Sequence, residues 1–186
     1  MLMIEWISPN ETTLGQYVII TKISTIFFVL SQAISFLITP YLPVLHDNDR
    51  LKSLQKHINF KILLSILWLI ICISGFLLFK GMIFKAYNIN FNHASFVIIL
   101  SITGNFIFSL TATSETICSY NHMNRALYPI SFIQVISISV LCYFLIPPFS
   151  FLGAIYAYFI SETFCSAICW FIVRSHGIEI KILGFI

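Results

Sequence analysis

The chain alternates long apolar runs with short polar stretches. Five of the runs predict helices, at about residues 17–42, 62–79, 96–117, 127–146 and 151–173. Each run is close to the roughly 20 helical residues that cross a hydrocarbon core. A membrane β-barrel would instead show alternating segments of about 10 residues. The pattern therefore predicts an all-α integral membrane protein with about five transmembrane helices.

The composition agrees with this prediction. Hydrophobic residues make up 59% of the chain and charged residues 9%, whereas about a quarter of the residues of an ordinary soluble domain are charged. Such a chain has too few polar residues to cover a globule in water. The formal net charge of +3 does not indicate a nucleic-acid partner, because the basic residues lie in short loops between apolar runs.

The basic residues are concentrated on one side of the predicted membrane. Four of them, Arg50, Lys52, Lys56 and Lys61, lie between the first and second runs. If this loop is cytoplasmic, its side of the membrane carries seven basic residues, and the other side carries two, or three with Lys22. The positive-inside rule then predicts an extracytoplasmic segment at 1–16 and a cytoplasmic tail at 174–186. Within the loop, Leu51–Lys61 could form a short amphipathic helix on the inner face.

Three stretches carry a family resemblance. They are "WISPNETTLGQYVIITKIS" at 6–24, "ISFLITPYLPVLHDNDRLKSLQKHINFK" at 34–61 and "YFLIPPFSFLGAIYAYFISE" at 143–162. In order and spacing they resemble the C-terminal part of polysaccharide or O-antigen flippases, within the multidrug/oligosaccharidyl-lipid/polysaccharide exporter superfamily. The third stretch is similar to the family's "L-I-P-x-x-G-x-x-G-A-A-x-A-x-x-I-S-E". Ser150 replaces the first glycine of that pattern, and Gly153 keeps the second.

The resemblance covers nearly the whole chain but only about five of the family's usual twelve helices. It implies export of lipid-linked oligosaccharide, as O-antigen or capsular repeat units, across the bacterial inner membrane. The implied mechanism is alternating access, with a substrate path between two bundles of six helices. The implied partners are membrane lipid, the lipid-linked oligosaccharide, and an N-terminal half-transporter or a glycan polymerase. Enzyme activity, cofactors, metals and nucleic acid are not implied.

Two other functions stay open. The first seven helices of the family have no counterpart, as expected for a non-functional remnant of a split gene. A membrane enzyme or accessory of cell-envelope glycan synthesis would need paired acids at the membrane surface. The candidates are Asp47 and Asp49 in "HDNDR", which a solvated turn explains more simply. No "GxxxxGK[ST]" stretch occurs, so the chain carries no Walker-type ATPase site.

Glu162 is the main candidate for a functional residue. It lies near the middle of the fifth run, where a charge costs roughly 2.5–3.5 kcal/mol on insertion scales. Tyr158, Glu162 and Ser166 are spaced by four residues and share one helix face. Glu162 could face a cavity, where it contacts a sugar or takes a proton. The alternative is a hydrogen-bonded or protonated glutamate that joins two helices.

Polar side chains also recur on other predicted helices. Asn105 and Ser109 lie on one face of the third, Gln134 lies on the fourth and Gln32 on the first. Such residues could line a wet sugar path, because sugars need hydroxyl and amide partners. They could equally form interhelical hydrogen bonds, worth about 0.6 kcal/mol each. Lys22, near the outer start of the first helix, could contact a substrate phosphate or extend to the membrane interface.

Two features near the last two helices predict local structure. Pro147 and Pro148 are expected to end the fourth helix at about Ile146. The small residues Gly153, Ala157 and Ser161 are spaced by four and predict a packing surface on the fifth helix.

The five cysteines contain no C-x-x-C pair and are expected to be apolar core residues.

Overall fold

The computed structural model describes residues 11–38, 50–87, 89, 94–120 and 124–175. These form five helices: α1 (Glu11–Ile38), α2 (Arg50–Ala86), α3 (Ala94–Tyr120), α4 (Asn124–Phe149) and α5 (Phe151–Ser175). No strand occurs within these ranges. The predicted all-α class is confirmed.

Four of the helices contain segments that are long and apolar enough to cross a membrane: Ile58–Ala86, Ala94–Thr116, Tyr128–Phe149 and Phe151–Ser175. Large apolar side chains point outward from them, such as Leu78 at 80% exposure and Phe132 at 72%. Such exposure is costly in water and is not costly against lipid tails. The chain is therefore a multi-pass membrane protein. The first predicted span, 17–42, runs into residues 39–49, which lie outside the described ranges.

Helix α5 has neighbours on two sides, because it packs against both α3 and α4. Helix α3 also packs against α1, and α2 packs against α1 and α3. The main apolar cluster lies among these helices and includes Ile20 of α1, Val97 and Ile98 of α3 and Ile155 of α5. Residues later in α1 contact residues later in α3, and residues later in α3 contact residues later in α5, so these three helices are parallel.

Helices α4 and α5 form a tight antiparallel hairpin joined by Ser150. The φ of Ser150 is 53°, a left-handed conformation that glycine adopts most easily. Three residues later, a Cβ on Gly153 would lie 2.1 Å from the carbonyl oxygen of Leu145. Only glycine fits such an approach of two backbones. Beyond this corner, Ala157 is fully buried and belongs to the cluster formed with Ile146 of α4, as expected for the predicted packing surface.

The predicted end of the fourth helix at Ile146 is wrong by three residues. Pro147 and Pro148 lie inside the last turn of α4, which continues to Phe149. The backbone N–H of Ser150 donates to the carbonyl of Ile146 at 2.7 Å. This bond closes the last turn although neither proline has an N–H to donate.

The basic stretch before the second run is also different from the expectation. The prediction placed a loop or a separate surface helix at 51–61, but α2 begins at Arg50 and continues without a break. Its 37 residues span about 55 Å at 1.5 Å per residue, well beyond a hydrocarbon core of about 30 Å. No proline or glycine interrupts the helix before Gly75. Lys61, expected in a loop, is 6% exposed within α2.

Candidate functional site

Glu162 is buried at the contact between α5 and α4. It is the twelfth of 25 residues in α5, so it lies close to the middle of the helix, and it is 2% exposed. Its Oε1 accepts a hydrogen bond of 2.6 Å from Nε2 of Gln134. Its Oε2 is buried and has no hydrogen-bond partner among the described residues. A buried charge is costly unless it is paired, so the unpartnered Oε2 makes an ionised Glu162 costly in this arrangement.

Two serines extend this polar contact along the α4–α5 hairpin. The hydroxyl oxygens of Ser137 and Ser161 lie 2.6 Å apart. Both hydroxyls also lie within reach of the carbonyl oxygen of Gln134, at 3.1 Å from Ser137 and 3.4 Å from Ser161. Glu162, Gln134, Ser137 and Ser161 therefore form one interhelical group, which we call the α4–α5 polar seam.

Tyr158, one turn before Glu162, points toward α3 instead. Its hydroxyl donates to Oδ1 of Asn105 at 3.2 Å. A Cβ on Gly104 would lie 3.1 Å from Cε1 of Tyr158, so the glycine leaves space for the ring against α3. Asn105 in turn donates from Nδ2 to the backbone carbonyl of Ser24 at 3.2 Å. Hydrogen bonds thus link α5 to α3 and α3 to α1.

A cavity of about 260 Å³ adjoins this link between the three parallel helices. We call it the α1–α3–α5 cavity. Its lining residues are Tyr17, Thr21, Ser24, Thr25, Ser101, Asn105, Ile155 and Tyr158. Seven of these eight side chains are polar, and none of them is charged. They lie toward the N-terminal ends of their helices, so the cavity is offset from the middle of the bundle.

The structure separates residues that the sequence placed on a single path. Tyr158 and Glu162 share a helix face in projection, but α5 lies between two neighbours and presents them to different helices. Tyr158 and Asn105 meet at the α1–α3–α5 cavity, whereas Glu162 and Gln134 meet in the polar seam. Glu162 is not among the lining residues of this cavity, and its hydrogen bond to Gln134 agrees with the alternative of a glutamate that joins two helices.

The other predicted site residues lie apart from the cavity. Ser166 is buried on α5 one turn after Glu162, and Ser109 is buried on α3 one turn after Asn105. Gln32 is half-buried on α1, and Lys22 is exposed. None of these four lines the cavity.

Sequence reasoning missed most of the α1 contribution. The α1 residues of the cavity are Tyr17, Thr21, Ser24 and Thr25. Their spacing of three and four residues is the helical signal that could have identified them as one face. Lys22, the residue of this helix that the sequence singled out, is exposed and lies on a different face.

The cysteines behave as expected for core residues. Cys118, Cys142, Cys165 and Cys169 are buried, and Cys72 is partly buried. No group of three or more histidine, cysteine or acidic side chains able to hold a metal ion occurs in the described part of the chain. Comparison with protein-family models, with curated proteins and with solved structures found no match to this chain.

Proposed function

We propose that this chain forms part of a flippase for lipid-linked oligosaccharide, which exports O-antigen or capsular repeat units across the bacterial inner membrane by alternating access. The observation that carries the proposal is the set of polar contacts inside an otherwise apolar membrane bundle. These contacts form two groups on α5, one between Glu162 and Gln134 of α4 and one from Tyr158 through Asn105 of α3 to Ser24 of α1. Polar residues within the membrane are costly, and they commonly mark substrate or ion pathways.

The chemistry of these residues suits a glycan. The cavity offers hydroxyl and amide groups, which match the hydroxyl groups of sugars. Glu162, with one unpartnered carboxyl oxygen among the described residues, supplies a group that could take a proton or a cation during transport. An enzyme of glycan synthesis would instead require a reactive group beside this cavity, and none of its lining residues is an acid, a histidine or a cysteine.

The resemblance to the flippase family is supported at the α4–α5 corner. The family's pattern has glycine at two positions that correspond to 150 and 153 in this chain. Position 150 adopts a positive φ, and position 153 leaves no space for a Cβ. Each of these demands is met best by glycine, so the pattern's two glycines have a physical reason in this fold.

The proposed orientation places the first turns of α2 in the cytoplasm. Arg50, Lys52 and Lys56 lie there, and Arg174 lies in the last turn of α5 at the same end of the bundle. The positive-inside rule then puts the N-terminal ends of α1, α3 and α5 on the outer side. In this orientation the α1–α3–α5 cavity lies in the outer half of the membrane, and Glu162 lies near its middle.

Genetic complementation tests the proposal. The chain is expressed in a flippase-null strain with its matching glycan cluster, alone and together with the N-terminal half of a homologous flippase. We expect surface polysaccharide to return in at least one of these two strains. Stable membrane insertion without polysaccharide in either strain would refute the proposal and favour the remnant. Glycosyltransferase activity of the purified chain would favour an enzyme.

A further inference from the structure

We propose that the α1–α3–α5 cavity binds one uncharged, polyhydroxylated ring, which is to say a single neutral sugar unit. This inference rests on the proposed function for the source of the sugar, a unit of the exported glycan. The binding site itself is argued from the size, the hydrogen-bonding groups and the charge of the cavity.

The size of the cavity suits one ring. An engineered protein cavity of about 150 Å³ holds a benzene ring, and the cavity here measures about 260 Å³. It therefore has space for one six-membered ring with its substituents. Pockets for drug-sized ligands are larger, at about 300–1,000 Å³, so a whole oligosaccharide would not fit.

The cavity offers mainly hydrogen-bond acceptors. The hydroxyl hydrogens of Thr21, Ser24 and Thr25 are donated to backbone carbonyls of α1. Ser101 donates to the hydroxyl oxygen of Ser24 at 3.0 Å, and Tyr158 donates to Asn105. Each hydroxyl oxygen keeps lone pairs that can accept another bond. A ligand that fits must therefore bring several O–H donors, as a sugar ring does.

Two donors remain to orient such a ligand. Asn105 uses only one of its two amide hydrogens on Ser24, and Tyr17 adds a phenolic hydroxyl to the lining. Ile155 supplies an apolar wall against which the C–H face of a ring can pack. An apolar wall with a few oriented polar groups is the usual composition of a small-molecule site.

The uncharged lining favours a neutral ligand over a charged one. A carboxylate or phosphate brings acceptors to a cavity that already presents acceptors. An ammonium group would find oxygen atoms but no carboxylate in the lining, and its charge would be buried without a counter-charge. Lys22 and Glu162 are not among the lining residues, so neither places a charge in direct contact with a ligand in the cavity.

The test is a binding measurement on the purified chain in lipid nanodiscs. The probes are methyl glucopyranoside, its anionic analogue methyl glucuronoside and its cationic analogue methyl glucosaminide, each measured by ligand-observed NMR. We expect saturable binding of the neutral probe, at least tenfold tighter than either charged analogue. Comparable affinity of a charged analogue, or no saturable binding of the neutral probe up to about 10 mM, would overturn the proposal.

Two conservative variants show where the neutral probe binds. Tyr17→Phe removes one hydroxyl, and Thr25→Ala removes another from an exposed position, so neither is expected to unfold the bundle. Each is expected to weaken binding by about two- to tenfold, the loss of one hydrogen bond. The matched control is Thr103→Val, because the Thr103 hydroxyl bonds to Ile99 within α3 and does not line the cavity. Equal weakening by the control would overturn the assignment.

Binding and transport can fail separately. If the neutral probe binds at the cavity but complementation fails, the site stands and the flippase proposal falls. If complementation succeeds and the neutral probe does not bind, the flippase proposal stands and the neutral-sugar site falls.

Discussion

The hydrogen bond between Gln134 and Glu162 makes a quantitative prediction about stability. The change is Gln134→Leu, which removes the donor and leaves an apolar side chain of similar volume. Both carboxyl oxygens of Glu162 then lack a hydrogen-bond partner among the described residues, since Oε2 already lacks one. The bond is short, at 2.6 Å, and Glu162 is nearly fully buried, so its loss is not repaired by surface solvation.

The expected cost lies at the upper end for membrane proteins. Leaving a buried acceptor unsatisfied costs about 1–3 kcal/mol in soluble proteins. Interhelical hydrogen bonds in a membrane average about 0.6 kcal/mol and reach about 1.7 kcal/mol, because the unfolded chain in the membrane also finds partners. For a short bond to a nearly fully buried acceptor we expect Gln134→Leu to lower the free energy of unfolding by about 1–2 kcal/mol.

The second variant separates this cause from poorer packing. Gln134→Leu with Glu162→Leu removes both polar groups, and replacing both partners by apolar groups is nearly neutral. The double variant is therefore expected to be more stable than Gln134→Leu alone. Unfolding is followed by loss of helicity in mixed micelles of a nonionic detergent and dodecyl sulfate. Ser139→Ala is the control on α4, because the Ser139 hydroxyl bonds within its own helix to Val135.

Two results would refute the reasoning. One is a cost for Gln134→Leu no larger than that of Ser139→Ala, which should stay within about 0.5 kcal/mol. The other is additivity, in which the double variant loses the sum of the two single losses. Additivity would mean that the two side chains do not interact.

Three further predictions concern backbone positions. Gly153→Ala should lower the free energy of unfolding by about 3 kcal/mol, because the new Cβ would lie 2.1 Å from the Leu145 carbonyl oxygen. Gly75→Ala is the control, because nothing lies within 4 Å of its Cβ position. In the same micelle assay it should raise the free energy of unfolding by about 0.5–1 kcal/mol. Equal effects of the two would contradict the proposed close approach. Ser150→Gly should raise the free energy of unfolding by about 1 kcal/mol, because it relieves a φ of 53°; a loss of stability would be the contrary result. Gly104→Ala should lower the free energy of unfolding by about 1 kcal/mol and weaken sugar binding, because the new Cβ would lie 3.1 Å from the Tyr158 ring. The control Gly81→Ala, in open space, should leave sugar binding unchanged. An equal loss of binding in the control would contradict the account.

The helices could be predicted from the sequence because long apolar runs in a membrane protein have few alternatives. The residues at which the helices begin and end could not be predicted in the same way. Pro147 and Pro148 predicted the end of a helix. At a helix end, however, a missing N–H removes only one hydrogen bond per proline, and the Ser150 N–H closes the last turn. The basic stretch from Arg50 read as a loop because of its charge, although it contains no helix breaker. The basic residues of α2 indicate where the helix leaves the membrane, but they do not determine where the helix begins.

Two of the residues that line the cavity, Asn105 and Tyr158, are among the candidates that the sequence offers, but the arrangement of the site could not be predicted. The spacing of Tyr158 and Glu162 puts them about 40° apart around α5, which describes one face of an isolated helix. The sequence does not say that α5 lies between α3 and α4, so it could not show that this face is divided between two partners. The α1 wall of the cavity depends on helix order in space, and only its spacing was visible in the sequence.

Transport by the Glu162→Gln variant tests the central claim most directly. The variant keeps the size of the side chain and removes the ionisable group, and Thr163→Val on the exposed, lipid-facing side of α5 is its matched control. Surface polysaccharide is measured in the flippase-null strain, in whichever of the two complementation arrangements restores it with the unaltered chain. The account predicts that Glu162→Gln abolishes the polysaccharide while Thr163→Val preserves it at equal membrane levels. Unchanged polysaccharide with Glu162→Gln at normal expression would contradict the account and leave Glu162 as a residue that only joins two helices.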